Sequence, residues 1–336
     1  MTILFVGNTP AQFYASSAEL EYDTSTEHRD SDFVPNDIGY TVSEGGTTYF
    51  DHELDSEVTD FWLHYRMYFP RVDNFNVLDN QRWVTLYDGS DNVLLRFEGH
   101  RPNNWIDVVG DTTGVGASFG LGQMRSFTID IHVEVNGTTD ITGTLYVNGA
   151  KVSTATVANT GGRGGVARVL WENYNTTQLN SGSQDTSHVS EIIMTSGEPT
   201  RGWRLAQLNP SAAGNHTDFT GTPDTLADGD LASGVSAGAD GDRMSNTLTA
   251  YGGPATASGI RAVVAATVAA KGDAGPDRLS QSVRIGGTDY DGTPVDLATE
   301  YQPLFTIWDN DPASGVGWDT ADFATMELGL LAEVAP

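Results

Sequence analysis

An all-β fold, two jelly-roll-like β-sandwiches in tandem, is what this sequence predicts, and two hairpins carry the prediction. Residues 143–157, GTLYVNGAKVSTATV, place two alternating strands on either side of Asn148-Gly149. That dipeptide suits a two-residue hairpin turn, whose central residues both need positive φ. Leu145 and Val147 point one way, Thr144 and Tyr146 the other, and Val152 continues the apolar set on the return strand. One face is therefore core and the other wet. Upstream, WVTLY (residues 83–87), the turn residues Asp88 to Asn92, and VLLRF (residues 93–97) repeat the arrangement. The first half of the chain also lacks convincing helical periodicity, and sheets with no helices to cover them must cover one another.

In chain order the remaining strands of the first domain, residues 1–198, fall at 3–6, 47–50, 61–69, 105–109, 127–135, 166–173 and 189–195. FWLHYRMYF (61–69) alternates most clearly, with Phe61, Leu63, Tyr65, Met67 and Phe69 on one face and Trp62, His64, Arg66 and Tyr68 on the other. Gly161 to Gly165, GGRGG, reads as a flexible hairpin loop and lacks the helix a phosphate cradle needs. Residues 197–208, GEPTRGWRLAQL, mark a seam, and residues 199–336 form the second domain. Its first part, 209–251, is so rich in Gly, Asp, Ser and Thr that composition suggests loops or disorder. Strands resume at 259–270, 282–285 and 301–308, the first of them favoured over helix by Ile260, Val263, Val264, Thr267 and Val268. Asp319-Thr320 offers a cap for a short helix through Met326.

Composition narrows the function. The chain has 336 residues, no cysteine, and a net charge of −28. Thiol chemistry, disulfides and zinc-thiolate sites are excluded. Only Lys151 and Lys271 are lysines and no basic patch appears, so nucleic acid is not an expected partner. The amino terminus has no basic n-region and no segment approaches the roughly 20 apolar residues of a membrane span. A protein without membrane insertion or secretion signal is expected, its acidity serving solubility or, alternatively, calcium.

The order of elements in residues 1–197, from the N-terminal strand through FWLHYRMYF, WVTLYDGSDNVLLRF, SFTIDIHVEV and GTLYVNGAKV to VSEIIMTSG beside the first strand, resembles the concanavalin A-like, laminin-G-type jelly roll. In the second half, TRGWRLAQLNPSAAGNHTDFTG, GIRAVVAATVAAK and WDNDPASGVGWDTADFATMELGL resemble C-terminal modules of tailed-bacteriophage virion proteins. Together these resemblances imply a non-enzymatic structural component of a phage-like virion, a tail or head spike, fibre or decoration protein. They further imply assembly in the host cytoplasm, contacts with other virion proteins, and a homo-oligomer, most often a trimer. Host surface polysaccharide is the implied external partner. A glycan-binding, lectin-like adhesion module is the alternative, and after it a jelly-roll polysaccharide hydrolase using Glu53, Asp55 and Glu57.

Three constellations bear on chemistry. Glu53, Asp55 and Glu57 have the E-x-D-x-E spacing that jelly-roll glucanases use, and on a strand all three would share a face. The surrounding polar stretch, however, reads as a loop feeding the next strand. Trp62, Tyr68, Trp105, Trp171 and Tyr174 are candidates for stacking on sugar rings. No cofactor is indicated. Calcium is open at Asp309, Asp311 and Asp319, and at an EF-hand-like run from Asp289 to Glu300, against a default of turns.

Overall fold

The computed structural model describes residues 2–8, 12–13, 15–16, 20–23, 37–41, 48–68, 81–100, 105–110, 119–120, 126–174, 186–226, 232–251 and 259–336. The chain divides into two compact units, Met1–Arg204 and Leu205–Pro336. Both are all-β, and among the described residues no helix is long and apolar enough to cross a membrane.

In the first unit the strands are β1 (Thr2–Gly7), β2 (Ala15–Ser16), β3 (Leu20–Asp23), β4 (Asp37–Thr41), β5 (Thr48–Val58), β6 (Asp60–Tyr68), β7 (Gln81–Tyr87) and β8 (Val93–His100). There follow β9 (Trp105–Gly110), β10 (Phe119–Gly120), β11 (Ser126–Asn136), β12 (Asp140–Val147), β13 (Ala150–Ala158), β14 (Val166–Tyr174) and β15 (Thr186–Ser196). One sheet runs β13-β12-β11-β6-β15-β4-β3 with β1 on β15; the other runs β10-β9-β8-β7-β14-β5-β2. Both expected hairpins, β12–β13 and β7–β8, are present, and β15 does return beside β1.

Alternation decides what lies between the sheets. Phe61, Leu63, Tyr65 and Met67 of β6 and their neighbours Phe127, Ile129, Ile131 and Val133 of β11 are all buried. Opposite them the second sheet contributes Phe50, His52, Val84, Leu86, Val169 and Trp171. The layers meet where Tyr65 sets its edge on Trp171 at 6.4 Å, and Trp171 stacks on Phe50 at 4.9 Å.

The GGRGG segment departs from the hairpin reading, because β13 and β14 lie in different sheets and the glycines make a crossing between layers. Residues 51–57 depart too: they are strand, part of β5, where a loop was expected. Their backbone pairs with β14, which sequence polarity could not foretell. At the β12–β13 turn Asn148 has φ 49° and Gly149 φ 76°. Replacing both with Val should cost about 1–2 kcal/mol per residue, read as a lower midpoint in urea; an unchanged midpoint would remove the turn from the list of fold determinants.

A strap leaves β15 and recrosses the outer face of the first sheet. Thr200 donates its hydroxyl to Asp130 at 2.9 Å, and Arg201 lies 4.8 Å over the Tyr146 ring. Arg204 then returns to Glu191, gripping both carboxylate oxygens at 2.8 and 3.0 Å. Residues 199–204, assigned from sequence to the second domain, thus pack on the first unit. Glu191 is fully buried at φ 53°, in a bulge where β15 slips against β6, and its N–H donates to Asn8 Oδ1 at 2.9 Å. An unusual left-handed glutamate in a bulge is held by partners on both its backbone and its side chain.

In the second unit the strands are β16 (Pro210–Thr217), β17 (Arg243–Leu248), β18 (Val263–Ala269), β19 (Arg278–Ile285), β20 (Thr288–Asp291), β21 (Val295–Asp296), β22 (Gln302–Trp308) and β23 (Glu327–Glu333). Six form a sheet ordered β16-β17-β23-β19-β20 with β21 on β19, and β18 pairs with β22. The two sheets are tied by Gln281, which donates to Thr267 Oγ1 at 2.8 Å and accepts from Thr306 at 2.8 Å. Met244, Leu279, Leu304 and Leu330 form one core cluster, and Val283, Trp318 and Met326 another. β16 and β17 occupy the stretch whose composition suggested loops. The correction is physical: β17 needs only Met244, Asn246 and Leu248 facing inward, while its other face is polar by design of the sheet. Near 319–326 the helix shrinks to a single 3-10 turn, Asp322–Ala324.

Candidate functional site

On the second sheet of the first unit, pairing and period two assemble a polar face from four adjacent strands. β5 and β14 set Glu53 opposite Arg168, His52 opposite Val169, Asp51 opposite Leu170, Phe50 opposite Trp171 and Tyr49 opposite Glu172. Because Phe50, His52, Val169 and Trp171 point into the core, Tyr49, Asp51, Glu53, Arg168, Leu170 and Glu172 share the outer side. β7 continues that side with Thr85 and Tyr87, and β8 adds Arg96 opposite Thr85.

The side chains engage one another only in part. Arg168 lies 3.3 Å from Asp51 Oδ2 and 2.8 Å from Asp91 Oδ1, and its guanidinium sits 4.2 Å over the Tyr87 ring. Thr85 donates its hydroxyl to Glu172 at 2.8 Å. Asp91 reaches the face from the β7–β8 turn at φ 60°, a turn fastened by Asp88, which accepts the N–H groups of Ser90 and Asn92. Asp51 is only 6% exposed, yet its Oδ1 has no hydrogen-bond partner among the described residues; neither does Nε of Arg96 or of Arg168. A buried carboxylate oxygen left unmatched is costly and calls for a donor. The face therefore presents acceptor oxygens, guanidinium donors, and tyrosine surface at Tyr87 and at Tyr49, which is 36% exposed.

The residues singled out from sequence are distributed otherwise. Glu53 stands on this face and is exposed, but Asp55 and Glu57 do not line up with it. Between Glu53↔Arg168 and Val58↔Val166 five steps of β5 oppose two of β14, which breaks the period of two. Glu57 instead accepts the N–H of Gly89 at 2.8 Å. Asp51, two residues before Glu53, is the carboxylate the ladder does align with it.

Of the aromatic candidates, Trp171 is 1% exposed and central to the core. Trp62 lies on the outer face of the other sheet, stacked on His132 at 4.1 Å and on Tyr146 at 5.6 Å, and is 5% exposed. Neither offers a ring to a ligand. Tyr68, Trp105 and Tyr174 fall in β6, β9 and β14, with side chains outside the described residues.

The aspartates proposed for calcium serve as turn acceptors. Asp311 accepts the N–H of Ala313 at 2.8 Å, and the Ser314 hydroxyl beside it holds its carboxyl below the usual range. Asp319 accepts the N–H of Ala321 at 3.0 Å, while Asp309 is exposed. In the EF-hand-like run, Asp289 binds Arg284 at 2.8 Å and Asp291 binds Arg243 at 2.7 Å. Among the described residues no three His, Asp or Glu side chains are grouped to hold a metal ion. Melting with and without a calcium chelator is expected to coincide; a shift of several degrees would place a metal where these contacts show only turns.

No protein-family model matches the chain, and no curated protein matches it. Solved structures similar to it include an alginate lyase bound to alginate trisaccharide, at 10% identity and TM-score 0.43, covering 57% of this chain and 98% of that one. An endo-β-1,4-glucuronan lyase from the fungus Trichoderma reesei aligns at 7% identity and TM-score 0.43, covering 58% and 96%. The catalytic domain of a β-glucanase from Podospora anserina aligns at 10% identity and TM-score 0.37, covering 58% and 88%. These matches give the virion resemblance no support. They also correct the expectation of a non-enzyme, since catalytic proteins stand among the structures this chain is similar to.

Proposed function

We propose that the first unit recognises a glycan on the outer face of its second sheet. The observation that carries this reading is the row of polar groups on that face, where exposed Glu53 and Asp91 flank Arg168 over the Tyr87 ring, with Asp51, Thr85 and Glu172 beneath them and Tyr49 exposed at the edge. Sugar hydroxyls both donate and accept, so a row of carboxylate and guanidinium groups can orient them while tyrosine rings cover the apolar faces of the pyranose. The alternative drawn from the sequence, a glycan-binding module, thus takes precedence over a virion role.

Hydrolysis of the bound chain is a second reading, favoured by the placement of Asp51 and Glu172. They are diagonal neighbours on the same side of β5 and β14, with Cα atoms about 7–8 Å apart, and a pair of carboxyl groups flanking the scissile bond is what glycoside hydrolysis uses.

Tyr49→Ala and Glu53→Ala, at exposed positions of the face, should each weaken retention on the recognised polysaccharide about three- to tenfold, with melting unchanged. Affinity electrophoresis of the full chain in gels of β-glucan, mannan and alginate reads this. Wild-type retention in both variants would move the site off this face. New reducing ends that disappear in Glu172→Gln, with retention intact, would assign hydrolysis.

A further inference from the structure

The same face carries a charge arrangement that bears on which glycans it accepts, an inference that rests on the glycan reading above. Its described side chains include four carboxylates, Asp51, Glu53, Asp91 and Glu172, against two guanidinium groups, Arg96 and Arg168. Arg168 is the cation at the centre of the face, and it is already committed. Asp51 and Asp91 take two of its nitrogens at 3.3 and 2.8 Å, and the Tyr87 ring takes its plane at 4.2 Å.

We infer that the face selects uncharged glycans and rejects polyuronates, with Asp91 and Glu53 as specificity-determining residues that act by occupying or opposing the cations. A uronate residue needs an uncommitted guanidinium or ammonium for its carboxylate. At Arg168 it would have to displace Asp51 or Asp91 and then sit beside Glu53, which stands directly opposite on β5; at Arg96 the Nε without a partner among the described residues is buried. Like-charge juxtaposition of this kind is a device for excluding wrong partners. The chain as a whole adds to the repulsion, at a net charge of −28. A hydroxyl of a neutral sugar meets no such obstacle: it carries no charge and can donate to the exposed carboxylates of Glu53 and Asp91.

Asp91 and Glu53 are exposed, so both can be changed without disturbing the core. The test is calorimetric titration of the full chain at low ionic strength with cello-, laminari- and manno-hexaose and with a mannuronate hexamer. At least one uncharged hexamer should bind about tenfold or more tighter than the uronate. The E53Q/D91N double variant should reduce that preference about tenfold or more, and added salt should reduce it in the wild type. Uronate binding as tight as that of the best uncharged hexamer overturns the inference while leaving the glycan reading standing. So does a preference unmoved in the double variant. Failure of every hexamer to bind defeats the glycan reading itself, and this inference with it.

Discussion

Trp171→Ala should lower the unfolding free energy of the first unit by about 3–5 kcal/mol. Trp171 is 1% exposed, stacks on Phe50 at 4.9 Å, and meets Phe13 and Tyr65 edge-on at 5.8 and 6.4 Å. It therefore spans both sheets, and its removal leaves a cavity that neighbours from two separate strands and a loop cannot collapse to fill. Tyr49→Ala is the matched control, one strand away on the outer side and 36% exposed, and should change stability by less than about 0.5 kcal/mol. Urea unfolding followed by tryptophan fluorescence measures both. A Trp171→Ala protein as stable as the wild type but unable to bind glycan would return this residue to the role of sugar platform that sequence alone allowed it.

That reversal of Trp171 from platform to core shows where a sequence stops being readable. The hairpins at residues 83–97 and 143–157 were legible because turn chemistry and alternation are local, and both recur in the structure. Strand FWLHYRMYF was legible for the same reason, yet its outward Trp62 was not. It is stacked on His132 and Tyr146 of two neighbouring strands, and Arg201 of the strap lies over the same Tyr146 ring. The polar face has a local signal of its own: Tyr49-x-Asp51-x-Glu53, Thr85-x-Tyr87 and Arg168-x-Leu170-x-Glu172 each alternate with residues of the apolar core. A spacing motif drew attention to Glu53, Asp55 and Glu57 instead. Only the register with β14 shows that the regular ladder ends at Glu53, and register is a property of two distant segments. Likewise Asp91 reads as an ordinary turn residue until β14 brings Arg168 to it.

Acid should weaken the first unit through His52. This side chain lies among Phe5, Phe13, Phe50 and Trp171, with its ring 3.8 Å from that of Phe5. Burial pushes its pKa down from 6.5 to about 4. The folded state thus holds a neutral imidazole that the unfolded chain would protonate near 6.5. Its contribution is fully present above that pH, shrinks as pH falls from about 6.5 towards 4, and is exhausted below 4, where both states carry the proton. The loss over that window amounts to about 3 kcal/mol. A whole stability curve would blur it, because protonating carboxylates in a chain of net charge −28 relieves self-repulsion and opposes the trend. The difference between wild type and His52→Leu isolates it, since the other titrating groups are common to both. Wild type should lose about 3 kcal/mol more than the variant between pH 6.5 and 4 in urea titrations. Parallel profiles would mean that His52 finds a proton acceptor in the folded core and does not resist protonation there.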